Sequence, residues 1–228
     1  MTPTVRAWLD GLGVAGRPDE LETKQLLAAH GLRVPRSLRV RPAEAQGTMS
    51  RPPDPGFDPP YVLKVCSAGI LHKTDQGGVR LGVDRASLPS VVRELQGRFS
   101  GSDVLVEEQV RFDGSEFIIG AFRDPSFGPA LMVGAGGILT ELYQDVVFRL
   151  VPCSSGEAMR MLRELKVFPV LEGFRGLSMD AHGLAESIAR VGEIVQALGE
   201  GFEQLDVNPI VYGPLGWTAL DAKLVTRP

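Results

Sequence analysis

Four groups of side chains in this chain have the types and spacing to do chemistry. Lys64 stands in the apolar run YVLKVC, Tyr61 to Cys66, and an ammonium among apolar neighbours is costly unless an anion meets it. Two readings are open: the lysine snorkels at a sheet edge, or it meets an anionic group. Asp206 and Asn208, in EQLDVNPIVY, are two apart and so share one face of a strand, with Asp221 on the neighbouring strand WTALDAKLV. Oxygen donors of this kind suit Mg2+, which takes one or two carboxylates and keeps its other positions for water and phosphate oxygens. The same D-x-N before proline also reads as a turn closed by Asx hydrogen bonds.

The glycine-rich loop GAGGIL, Gly134 to Leu139, follows the strand-like PALMV. Without Cβ atoms, its backbone N–H groups can approach a phosphate closely. It is neither the dinucleotide fingerprint, since Leu139 takes the last glycine position, nor a Walker A loop, since no Gly-Lys-Ser/Thr follows. A tight turn explains it equally well. The fourth group is GILHKTDQGGVRLG, Gly69 to Gly82, where His72, Lys73, Thr74 and Asp75 form the densest polar cluster around any of the three histidines. His72 is either a reactive group or an ordinary loop residue. Taken together, a strand lysine, a distant set of oxygen donors and glycine loops are the parts of a nucleotide-phosphate site without a P-loop.

The elements that must position these groups can be read from apolar periodicity. DELETKQLLAAHGLRVP reads as a helix with Asp19 as cap and Gly31 as stop. YVLKVC and GVRLGV read as strands, and SLPSVVRELQGRF as a helix capped by Ser87. DVLVEEQV, EFIIGAF and PALMVG are three strand-like runs expected in one antiparallel sheet. SSGEAMRMLREL opens on Ser154 and Glu157 in capping-box spacing, DAHGLAESIARVGEIVQALG runs as a helix from Asp180 to Gly199, and two strands close the chain. The grouping predicts an α+β chain of two units side by side, with residues 1–18 as an N-terminal extension, 19–102 as a first unit and 103–228 as a second. Residues 41–60, rich in proline and poor in large apolar side chains, are expected to form an exposed loop.

Composition excludes several classes. A chain of 228 residues, 43% apolar and 23% charged, can bury one large core or two modest ones. A net charge of −4 and scattered Lys and Arg give no basic field for nucleic acid. No apolar run approaches the roughly 20 residues of a membrane span, and MTPTVRAWLDGLGVAG lacks a signal-peptide layout, so a cytoplasmic location is expected. Cys66 and Cys153 lack C-x-x-C spacing, and read as buried small hydrophobes rather than as a disulfide or zinc site.

From about Glu20 to Val225 the chain resembles the ATP-grasp domain of the NDP-forming acyl-CoA synthetases, the β-subunit type of ADP-forming acetate–CoA ligase. It is more distantly similar to succinyl-CoA synthetase β. The strings that carry this are YVLKVCSAGILHKTDQGGVRLGV, VLVEEQVRFDGSEFIIGAFRDPSFGPALMVGAGGILTELYQDVVFRLVP, VLEGFRG and LDVNPIVYGPLGWTALDAKL, in that order. The resemblance implies an ATP-grasp fold, two α+β subdomains that hold ATP between them. It implies that Lys64 contacts ATP phosphates, and that Glu107, Glu108, Gln109 and Val110 meet the adenine, partly through backbone. Glu116 corresponds to an acidic position near ribose or phosphates, Gly136 and Gly137 to the glycine pair, and Asn208 and Asp221, with Asp206 beside them, to the magnesium ligands.

His72 falls at a position where some members of the family use a second histidine in a phosphoryl relay. A neutral imidazole is nucleophilic near pH 7 and its phosphoramidate can return the group. Lys73 could then offset charge and Asp75 orient the ring; the alternative is a hydrogen bond within the loop. The implied reaction is acyl-CoA + ADP + phosphate ⇌ carboxylate + CoA + ATP, an acid–thiol ligase reaction using Mg2+ and ATP or ADP. The family's Rossmann-like CoA-binding domain and its principal phosphohistidine domain are not in this sequence, which implies a separate α subunit in a hetero-oligomer. Two alternatives are another ATP-grasp carboxylate ligase working through an acyl phosphate, and a catalytically idle nucleotide-binding module.

Overall fold

The structure, a computed structural model, describes residues 5, 8, 18–42, 54–66, 76–112, 116–137, 145–176 and 179–227. The expectations for His72, Lys73, Thr74 and Asp75, for Ile138 and Leu139, and for residues 43–53 of the proline-rich stretch lie outside them. The chain divides into two compact units, one of Asp19–Leu21 and Pro35–Val110 and one of Met1–Pro18, Glu22–Val34 and Arg111–Pro228. Helix α1 (Glu20–Ala29) contributes its first two residues to the former and the rest to the latter.

The smaller unit holds β1 (Ser37–Val40), β2 (Tyr61–Cys66), β3 (Val79–Val83), α2 (Leu88–Arg98) and β4 (Asp103–Glu108). Its sheet runs β1-β4-β2-β3, antiparallel throughout. Alternation sends Leu63 and Val65 of β2 and Val104 and Val106 of β4 to one face, where they pack with Leu88, Val92 and Leu95 of α2. Lys64, paired in register with Leu105, therefore points to the other face.

Three expectations change here. The run DVLVEEQV does not continue the second-half sheet: β4 lies between β1 and β2, so the unit closes at Val110 rather than at 102. Strand neighbours pair by matching apolar faces, and the alternation of Val104 and Val106 fits that of Leu63 and Val65. The proline-rich stretch is not wholly an exposed loop, because Phe57 near its end is buried, edge-on to Tyr61, whose hydroxyl donates to the Phe57 carbonyl at 3.0 Å. Ser87 occupies the cap position of α2 without capping it. Its hydroxyl donates to Asp84 Oδ1, and its own N–H donates to the same carboxylate, so Asp84 closes the turn.

The larger unit holds β5 (Glu116–Asp124), β6 (Gly128–Ala135), β7 (Val146–Leu150), α3 (Ser155–Glu164), α4 (Phe168–Leu171), α5 (Ala181–Leu198), β8 (Phe202–Gly213), β9 (Gly216–Ala219) and β10 (Ala222–Thr226). The antiparallel sheet runs β10-β8-β5-β6-β7, with β9 also paired to β8. Phe117, Ile119, Leu131, Val133, Leu205 and Val207 point into a core closed by Met161 and Leu162 of α3 and Ile188, Val191 and Val195 of α5. On the opposite face β8 carries Gln204, Asp206 and Asn208, whereas β5 and β6 interleave apolar residues and glycine, among them Ile118, Gly120, Phe122 and Met132. Ser154 caps α3, its Oγ accepting from Glu157 N–H at 3.2 Å, and Asp180 caps α5, accepting from Gly183 N–H at 2.9 Å. The Glu157 carboxylate does not complete a capping box, since it pairs with Arg149 and Arg160.

Candidate functional site

Among the described residues the candidates fall into three clusters, each built by its own strands. In the smaller unit Lys64 is not at a sheet edge, because β2 is flanked by β4 and β3. Its ammonium lies 2.8 Å from Glu20 Oε1 and 3.1 Å from Glu107 Oε2, with side-chain exposures of 9%, 4% and 2%. Ser37 Oγ donates to Glu107 Oε1 at 2.9 Å, from the register position directly across β4. The anion that Lys64 demands is thus supplied within the unit, and the snorkelling alternative is excluded. The side chains that follow are also engaged: Glu108 accepts from Arg36 Nε at 2.6 Å, and Gln109 Oε1 accepts from Gly82 N–H at 2.7 Å.

Asp206, Asn208 and Asp221 come together in the larger unit. The closing run WTALDAKLV is not one strand but two, β9 and β10, laid end to end along β8. The break between them falls opposite Asn208 and Pro209. There Asn208 N–H donates to the Asp221 carbonyl at 3.2 Å and Leu220 N–H to the Pro209 carbonyl at 2.9 Å. Buried Leu205 and Val207 alternate with half-buried Asp206 and exposed Asn208, so both polar side chains leave from the solvent face of β8. Asp206 is the register partner of Lys223. Burial, and secondly the charge of Asp221, push the Asp206 carboxyl above its usual range, while Lys223 opposes the shift. Two carboxylates and an amide oxygen are the hard, low-charge donor set that Mg2+ uses together with phosphate oxygens, and a cation there would relieve the repulsion. Among the described residues, no group of three His, Cys, Asp or Glu side chains forms an all-protein metal cage.

Glu116 and the glycine loop make the third cluster. Gly136 N–H donates to the Glu116 carbonyl at 2.5 Å, and a Cβ on Gly136 would stand 2.7 Å from that carbonyl carbon. Only glycine permits this approach. Gly137 has φ +74, and a Cβ there would stand 3.5 Å from Glu116 Oε2. The Gly136 N–H is therefore spent within the protein. Earlier in the loop, Ala135 N–H donates to the Asp145 carbonyl at 3.2 Å. Asp145 is a buried carboxylate that sequence reasoning passed over, accepting from Lys166 and Val167 N–H at 2.9 Å each. Its signal in sequence is slight, a single Asp before an apolar strand. Both cysteines are free and buried, as expected, and burial pushes the Cys66 thiol up to about 12.

Comparison with known proteins agrees with this architecture. Residues 15–226 match the model of the ATP-grasp domain. The chain is 34% identical over 215 residues to the beta subunit of ADP-forming acetate–CoA ligase I from Pyrococcus furiosus, covering 90% of each. It is 36% identical over 174 residues to ADP-forming acetate–CoA ligase I from Archaeoglobus fulgidus, covering 73% of this chain but only 25% of that longer relative. A solved acetyl-coenzyme A synthetase from Ca. Korarchaeum cryptofilum, in complex with coenzyme A and Mg-AMPPCP, superposes with a TM-score of 0.76 at 30% identity and 98% coverage of both. A match spanning nearly all of both units, shared with full-length beta subunits, establishes that this chain belongs to the ATP-grasp family and is homologous to the beta subunits of ADP-forming acetate–CoA ligases.

Proposed function

We propose that this chain is the nucleotide-binding subunit of an ADP-forming acyl-CoA ligase, catalysing acyl-CoA + ADP + phosphate ⇌ carboxylate + CoA + ATP together with a CoA-binding α subunit. The observation that carries the reading is the convergence of Asp206, Asn208 and Asp221 at the β9–β10 break, in a chain collinear with those beta subunits. Asn208 and Asp221, with Asp206 beside them, would hold Mg2+. The metal, when bound, supplies charge neutralisation and alignment of nucleotide phosphate oxygens.

The chain's own residues do the rest by position and charge. Lys64 offers a cation to the phosphates from a strand where Glu20 and Glu107 fix its rotamer, so little conformational freedom is left to lose on binding. Glu108, Gln109 and Val110 lie at and beyond the end of β4, where the chain leaves the sheet to meet the adenine. Glu116, Gly136 and Gly137 line the phosphate side. His72 is proposed to receive and return the phosphoryl group, its imidazole nitrogen attacking phosphorus as the bond to the departing carrier breaks.

The test is titration of the purified chain with ATP, with and without Mg2+, followed by incubation with its α subunit, CoA and short carboxylates. The expected result is saturable, Mg2+-dependent binding and an acid-labile, base-stable phosphoprotein that His72→Asn abolishes. Release of ADP on addition of an amine without CoA would instead identify a carboxylate–amine ligase, and no ADP under any condition an idle module.

A further inference from the structure

We infer that Asp145 is a positioning residue for the nucleotide: it fixes the wall against which the Gly134–Gly137 segment is seated. The inference rests on the nucleotide-binding reading above and adds a residue to which no role is assigned. The segment runs between two backbones. On one side Gly136 is held by the Glu116 carbonyl at the start of β5. On the other, a Cβ on Gly134 would stand 2.8 Å from the Asp145 carbonyl oxygen and 2.7 Å from Val146 Cγ1, and Ala135 N–H donates to that same carbonyl. Asp145 thus lies where the chain enters β7, and its main chain is in contact with the segment.

Its side chain faces elsewhere. Both carboxylate oxygens are used, Oδ1 by Lys166 N–H and Oδ2 by Val167 N–H, at the turn between α3 and α4. Val167 is the cap residue of α4 and supplies no side-chain cap, so these amides depend on Asp145. One residue therefore ties the glycine segment, through its carbonyl, to the helical layer, through its carboxylate. A carboxylate with two adjacent N–H donors has one low-energy orientation, which fixes the main chain from which it hangs. Because backbone atoms stand within 3 Å of the Cβ positions of Gly134 and Gly136, the Asp145 carbonyl on one side and the Glu116 carbonyl on the other, a shift of the Asp145 main chain passes along the segment to Gly136 and Gly137.

Mg-ATP titration calorimetry on the full-length chain and on Asp145→Asn, Asp145→Ala and Lys166→Pro tests this, each at a temperature where circular dichroism shows it folded. Lys166→Pro removes one donor while leaving Asp145 in place, and the preceding Leu165 already has the extended backbone, φ −71 and ψ 138, that a following proline requires. We expect Asp145→Ala to weaken Mg-ATP by about tenfold, the loss of roughly one charge-assisted hydrogen bond to the nucleotide. Asp145→Asn, which keeps one acceptor, and Lys166→Pro should fall between Asp145→Ala and the parent. Unchanged affinity in the folded variants, whatever their melting temperatures, would overturn the inference and leave the nucleotide reading standing. Should Asp145→Ala not fold, Lys166→Pro decides by the same criterion. Absence of Mg-ATP binding by the unsubstituted chain would overturn both.

Discussion

Replacing Lys64 by methionine should destabilise the smaller unit severely, and the size of the effect can be worked from its surroundings. The ammonium sits between Glu20 and Glu107 at 2.8 and 3.1 Å, in a group whose side chains are all less than a tenth exposed. Methionine fills much of the same volume but leaves two carboxylates buried side by side without that cation. Breaking a buried ion pair by deleting one partner costs about 3–5 kcal/mol, because the remaining charge cannot return to water. At roughly 2–4 °C per kcal/mol for a chain of this size, the melting temperature should fall by about 6–20 °C. The assay is thermal unfolding followed by circular dichroism. Lys64→Met/Glu20→Gln/Glu107→Gln, which removes the charges together, should recover most of the loss. A Lys64→Met melting point within about 2 °C of the parent, below the shift expected of even 1 kcal/mol, would refute the picture of a buried ion-pair cluster.

Asp221→Ala should weaken Mg-ATP far more than it lowers the melting temperature, because the side chain leaves from a half-buried strand break; calorimetric titration with unchanged affinity removes it from the site. The Asp206 carboxyl is held above its usual range, so the folded chain keeps a proton there to higher pH than an ordinary Asp, and the metal competes with that proton. Mg2+ affinity in the presence of ATP should therefore rise with pH, by up to about tenfold per unit where one proton is displaced, and level off above the raised value; the opposite slope contradicts the assignment. The same shift makes the metal-free fold more stable below the ordinary Asp value and less so as pH rises through the raised one, which saturating Mg2+ should flatten. Cys66, pushed up to about 12 by burial, stays protonated at pH 8 and should resist iodoacetamide until the chain is unfolded; rapid native-state labelling would show the strand end to be open.

The sequence made the grouping of the candidate side chains more legible than the topology. Asp206, Asn208 and Asp221 were visible because strand period and oxygen chemistry are local properties, and the structure does bring them to one place. What brings them there was not visible. WTALDAKLV reads as one strand, since nothing in its apolar pattern marks the step at Leu220 and Asp221 where pairing passes from one half of β8 to the other. Lys64 announced the need for an anion, but its partners lie 44 and 43 residues away in opposite directions along the chain, a distance no periodicity spans. The placement of β4 in the first sheet failed for the same reason: apolar alternation says that a strand is half-buried, not which neighbour buries it. Short β1, with Leu38 and Val40 its apolar residues, carried too little pattern to be read, and β7, apolar at four of five positions but buried at none, has no alternation to mark it as a half-buried strand.

The most direct measurement of the central claim is ADP release from Mg-ATP by the chain assembled with its α subunit, with CoA and a short carboxylate supplied singly and together. The proposed ligase forms ADP in sustained turnover only when both are present, with acyl-CoA appearing in equal amount. Sustained ADP turnover without CoA, or no ADP with both although Mg-ATP is bound, would contradict the account.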